Sequence, residues 1–133
     1  MANKGQTAGT ILIVDDEPGV LQITRIILER AGFVVLTAEN GQIGLDMFQR
    51  HEAEIHLALV DMTMPVLSGE ETVQGLNRIR PGMRIIVSSG HGEDETMARM
   101  AQYDVAGVIQ KPFHAQTLVQ KVRAAMEERP AGV

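Results

Sequence analysis

The sequence of 133 residues contains no cysteine and no tryptophan, and only three Phe and one Tyr. Without cysteine there is no disulfide framework, no thiolate nucleophile and no zinc or iron–sulfur centre held by thiolates. Aromatics at 3% leave little for a nucleic-acid binder that stacks bases on rings. Twelve basic residues stand against seventeen acidic ones, for a formal net charge of −5, and no Lys/Arg block occurs. That balance argues against direct nucleic-acid binding, which depends on a basic patch and counterion release. Long hydrophobic runs are missing as well. The opening MANKGQTAGT is small and polar, and the apolar run behind it, ILIV at 11–14, is short. It reads neither as a signal peptide nor as a membrane span, so the expectation is a cytoplasmic protein without membrane insertion.

With 44% hydrophobic and 22% charged residues, what remains is the balance of one globular domain long enough to bury a core. Residues 1–10 are expected to be a flexible N-terminal segment, 11–128 the folded body and 129–133 a fraying tail. Short β-branched apolar runs recur at 11–14, 33–38, 56–61, 84–89 and 106–110, each too short for a helix and fit for a buried strand. Helical spacing fills the intervals. Over 18–31, Pro18 suits a first turn, Val20, Thr24, Ile27 and Ala31 share a face, and Gly32 ends the element. Asn40 is the expected N-cap of 41–52, whose face carries Gly44, Met47, Phe48 and His51. Ser68 and Glu71 form a capping box ahead of 68–79, which Pro81-Gly82 closes. The acidic start of 93–103 suits the helix dipole, and its stripe is Met97, Met100 and Ala101. Leu118, Val122 and Ala125 line 114–128.

Strand and helix thus alternate five times, which predicts an α/β fold with a single five-stranded parallel sheet and helices on both faces. Ligands in such folds sit beyond the carboxyl ends of the strands. Those ends carry Asp15, Asp16 and Glu17; Glu39 and Asn40; Asp61; Ser89, Gly90 and His91; and Lys111 with Pro112. Asp15-Asp16 alone would read as a solvated cap, and Asp61 alone as a polar strand end. Gathered at one edge, three carboxylates repel, and some take up protons unless a cation shares the site. A donor set of oxygens favours a hard metal such as Mg2+ over zinc. Lys111 is then a point charge for a phosphoryl oxygen, Ser89 a hydroxyl donor to another, and Asp61 a nucleophile that could form an aspartyl phosphate.

At this point the residues resemble a known family, the response-regulator receiver domains of two-component signalling. The resemblance runs through ILIVDDEP, DMTMPVLSG, IIVSSG and GVIQKPF, and the block at Asp61 matches the family's D-x-x-M-P-x-x-x-G run. It implies a flavodoxin-like (βα)5 receiver fold with Asp61 as phosphoacceptor. It also implies Asp15, Asp16, Asp61 and the backbone carbonyl of Thr63 around Mg2+, Ser89 as hydroxyl switch, Lys111 as phosphate partner and a cis bond before Pro112. The implied partners are a histidine kinase or histidine phosphotransfer domain, and an output domain or protein reached through the fourth helix, fifth strand and fifth helix. DMTMPVLSGEET with GVIQKPF looks particularly like receivers attached to hybrid histidine kinases.

Three positions depart from the family pattern. Val108 stands where many receivers have a Tyr or Phe, Gly90 where Ala is common, and Asp104 where Gly usually ends the fourth helix. Asp104 is expected to keep a left-handed turn there. His91 is close enough to the site to modulate access or hydrolysis, or is a plain loop residue; His51, His56 and His114 read as surface residues. G-H-G-E-D-E at 90–95 lacks the third Gly of a dinucleotide loop and carries acids where pyrophosphate would sit. The rival function is an aspartate-nucleophile phosphatase. Its usual second Asp is replaced here by Thr63, and a cap domain is not expected at this length.

Overall fold

A computed structural model describes residues 8–64 and 67–127. The elements are β1 (Thr10–Val14), α1 (Pro18–Arg30), β2 (Val34–Ala38), α2 (Gly41–Arg50), β3 (Leu57–Asp61), α3 (Gly69–Ile79), β4 (Arg84–Ser89), α4 (Glu93–Arg99), β5 (Gly107–Gln110) and α5 (Ala115–Glu127). All strand pairs are parallel, in the order β2-β1-β3-β4-β5. The chain leaves β1 toward β2 and returns across β1 to β3, which opens a crevice at the carboxyl ends of β1 and β3.

Side chains of a strand alternate between faces, and here both faces are covered. Ile11, Ile13, Leu57, Leu59 and Ile86 join Leu28 of α1 and Leu118, Val122 and Ala125 of α5 in one buried cluster. Leu12, Val14, Ala58, Val60, Ile85 and Val87 join Phe48 of α2, Val73 and Leu76 of α3 and Met100 in the other. This double burial is why β1, β3 and β4 read as uninterrupted apolar runs; β2, expected to be buried, lies at the sheet edge, is only partly buried and leaves Val34 exposed. Of the expected face of α1, Thr24 is buried and Ile27 and Ala31 pack against the core, and Leu28, not among the expected four, is buried beside them. Gly32, at φ +102°, takes the left-handed conformation that ends that helix.

The sheet begins one residue before the expected boundary, at Thr10. Ala8 already donates its N–H to Gly32 O at 3.1 Å, and Gly9 O accepts from Val34 N at 2.9 Å. Residues 1–7, Glu128 and the expected tail 129–133 lie outside the described residues. Two expectations near α4 are corrected. The regular helix stops at Arg99, and Met97 is 43% exposed while Met100 is 1% exposed. The seven-residue helix buries only Thr96, and its C-cap Met100 follows on the same side at i,i+4 spacing, so Met97 and Ala101 fall outside the core. Asp104 adopts no left-handed turn, because positive φ among the described residues occurs only at glycine. Its N–H donates instead to Asn77 Oδ1 at 2.9 Å, which fixes the turn from another helix.

Candidate functional site

Each strand end delivers one part of the site. Asp15, directly after β1, donates its N–H to Ala38 O at 3.1 Å, which extends the ladder by one residue and buries its carboxylate. Its Oδ1 accepts from Glu17 N at 2.9 Å. Asp61 is the last residue of β3 and is 5% exposed. Met62, the next residue, donates its N–H to Ser88 O at 2.9 Å. Thr63 is exposed, and its N–H points at Asp61 Oδ1 from 3.5 Å.

The start of α3 braces this strand end. Ser68 Oγ accepts from Glu71 N at 3.1 Å and Glu71 Oε1 accepts from Ser68 N at 3.0 Å, completing the expected capping box. Gly69 then donates its N–H to Met62 O at 3.1 Å. A Cβ at Gly69 would run into Asp61 O, Met62 Cα (2.5 Å) and Asp61 C (3.0 Å), so the helix rests on the backbone that carries Asp61. Pro65 and Val66 of the same run lie outside the described residues.

From the far side come Ser89 and Lys111. Ser89, 3% exposed, accepts His91 N on its Oγ at 3.0 Å, while its carbonyl accepts Lys111 N at 2.7 Å. The bond between Lys111 and Pro112 is cis. Lys111 reaches back over the sheet, with Nζ 3.1 Å from Asp15 Oδ2, 3.2 Å from Asp61 Oδ1 and 3.5 Å from Glu17 Oε1. His91 and Gly90 are exposed beside the cluster, and Val108 is buried within β5 opposite Val87.

The charges do not balance. Burial, and then the neighbouring charge of Asp15, push the Asp61 carboxyl up to about 6, and Lys111 only partly offsets them. Burial pulls the Lys111 ammonium down, but its bond to Asp15 and the charges of Asp61 and Asp15 outweigh this and raise it. Asp15, Asp16 and Asp61 each offer an oxygen within 4.8 Å of the others. One ammonium facing three carboxylates leaves a negative, oxygen-only pocket, which fits a hard divalent cation.

The residues singled out in the sequence at the ends of β1, β3, β4 and β5 therefore meet at one place. Sequence order puts Glu17 at the same edge but gives it no role; its place beside Asp15 and Asp16 is the available signal, and its reach to Lys111 is not readable from the chain.

The family model for the response regulator receiver domain matches residues 11–123. The chain is 30% identical over 120 residues to the chemotaxis protein CheY of Bacillus subtilis, covering 90% of this chain and 98% of that protein. It is also 30% identical over 118 residues to the transcriptional regulatory protein GlrR of Escherichia coli, covering 89% of this chain and 26% of that one. The chain thus spans about a quarter of that relative's length. Among solved structures, a response regulator receiver domain protein from Clostridium thermocellum matches with a TM-score of 0.82 and 34% identity, over 89% of this chain and 94% of the other.

Proposed function

Because the chain belongs to the response regulator receiver domain family, we propose that Asp61 is its phosphoacceptor and that a histidine kinase or histidine phosphotransfer domain is its donor. The observation that carries this reading is the Lys111 ammonium held between Asp15 and Asp61 at the crevice of a parallel sheet. An Asp61 oxygen attacks the donor's phosphorus in line. The P–O bond forms as the P–N bond breaks, and the imidazole leaves with the bonding pair and takes up a proton. Lys111 pairs with a phosphoryl oxygen, and the Ser89 hydroxyl donates to another. Asp15, Asp16, Asp61 and the Thr63 carbonyl would hold Mg2+, which when bound neutralises charge on the phosphoryl oxygens.

Phosphorylation and dephosphorylation of Asp61 are the only chemistry assigned, with no turnover on another molecule. The added charge shifts α4, β5 and α5, and that face carries the signal to an output domain or partner. His91, exposed with its N–H on Ser89 Oγ, is placed to alter water access to the phosphoryl group. Among the described residues no helix is long and apolar enough to cross a membrane, and we assign the domain to the cytoplasm with its donor.

Incubation with acetyl phosphate and Mg2+ should give an acid-labile phosphoprotein in the parent and none in Asp61→Asn. Labelling that persists in Asp61→Asn refutes the site, and steady phosphate release from small esters would favour a phosphatase.

A further inference from the structure

α4 is the most lightly held helix of the fold. It has seven residues, of which only Thr96 is buried; its C-cap Met100 is buried too, and Met97 is exposed. Side-chain ties hold it instead. Tyr103, in the turn after α4, donates its hydroxyl to Glu70 Oε2 at 2.9 Å, and Arg99 Nε lies 3.7 Å from Glu70 Oε1. Asn77 of α3 accepts from Asp104 N at 2.9 Å and donates to Asp104 O at 3.3 Å. On the opposite side Lys121 Nζ lies 3.3 Å from Glu93 Oε2.

Glu70 is the residue after Gly69, and Gly69 rests on the Asp61–Met62 backbone. The physical contact therefore runs from Asp61 through Gly69 and Glu70 to Tyr103, Arg99 and α4. Between α4 and the loop after β3 lies a cavity of about 230 Å³ lined by Thr63, Ser89, His91 and Thr96, which leaves room for movement toward Asp61. Val108 offers no ring that could swing within β5, whereas the one tyrosine of the chain ends on Glu70.

We propose that Glu70, gripped by Tyr103 and Arg99, is a clasp that restrains α4 in the unphosphorylated arrangement and so sets how readily the domain switches. The proposal rests on Asp61 being the phosphoacceptor. A bond made in one arrangement and broken in the other biases the equilibrium by its own free energy, so removing it favours the switched state.

The test compares the parent with Tyr103→Phe and Glu70→Ala by amide hydrogen exchange without ligand, and by titration with beryllofluoride in excess Mg2+. In both variants, exchange at residues 96–100 should be about threefold faster and beryllofluoride should bind about threefold tighter, the size expected of a partly exposed charge-assisted pair. A merely structural role would lower the urea midpoint without tightening binding. Unchanged exchange at α4, or binding no tighter than the parent's, overturns the clasp. A parent that binds no beryllofluoride at all sinks the phosphoacceptor reading and the clasp with it, whereas variants that bind no tighter than a parent that does bind sink the clasp alone.

Discussion

Replacing Gly69 by Ala tests whether α3 truly rests on the backbone of Asp61. A Cβ there would meet Met62 Cα at 2.5 Å, Asp61 C at 3.0 Å and the Asp61 carbonyl oxygen, none of which can rotate aside as a side chain would. In an unobstructed helix, Gly to Ala is worth about 0.5–1 kcal/mol of stabilisation. Overpacking against fixed atoms costs typically about 1–3 kcal/mol. With three backbone atoms in the way the upper half of that range applies, and Gly69→Ala should be destabilised by about 1–2 kcal/mol net. For a chain of this size that lowers Tm by about 5 °C. Gly90→Ala is the control, since a Cβ there meets nothing within 4 Å and Gly90 is not among the positive-φ glycines. It should gain about 0.4–1 kcal/mol. Urea and thermal unfolding of both variants give the stabilities, and calorimetric Mg2+ titration reports whether Asp61 has moved. A Gly69→Ala protein as stable as the parent, with unchanged Mg2+ affinity, would refute the close packing.

Asp61→Asn should raise stability by about 1–2 kcal/mol at pH 7–8 without divalent cation, after discounting for solvent screening. The folded value of about 6 lies above the ordinary 3.8, so the stability Asp61 contributes is present at low pH and lost as pH rises through 6. Unfolding curves should therefore converge near pH 4, and a gap that widens there would contradict the assignment. Lys111→Ala should stay folded yet lose the spectral change that beryllofluoride produces in the parent; an unfolded variant would make the residue structural. His91→Ala should change the rate of acyl phosphate hydrolysis at least twofold with unaltered phosphorylation, followed by phosphate release, and an unchanged rate would leave His91 a bystander.

The chemistry at the strand ends was legible because a parallel sheet collects whatever follows its strands. Asp15, Asp61, Ser89 and Lys111 each sit at or just past the end of a short apolar run, and the run locates the residue. The capping box at Ser68 and Glu71 was legible for a similar reason, being local. The end of α4 was not: Met97, Met100 and Ala101 keep helical spacing, but only tertiary packing decides where so short an element stops. Asp104 shows the same limit, since its turn is set by Asn77, 27 positions away. The grip of Tyr103 on Glu70, 33 positions apart, leaves no periodic trace either.

Lys111 meets Asp15 across 96 positions of chain, and β5, which delivers it, is the last strand and an edge of the sheet. During synthesis Asp15, Asp16 and Asp61 therefore all emerge before Lys111, their counter-charge. A nascent chain still holding β5 inside the ribosome carries three carboxylates destined for one pocket and lacks the ammonium that pairs with Asp15 and Asp61. On the proposed reading, competence to receive a phosphoryl group waits for β5, and the core on one face of the sheet waits longer still, for Leu118, Val122 and Ala125 of α5.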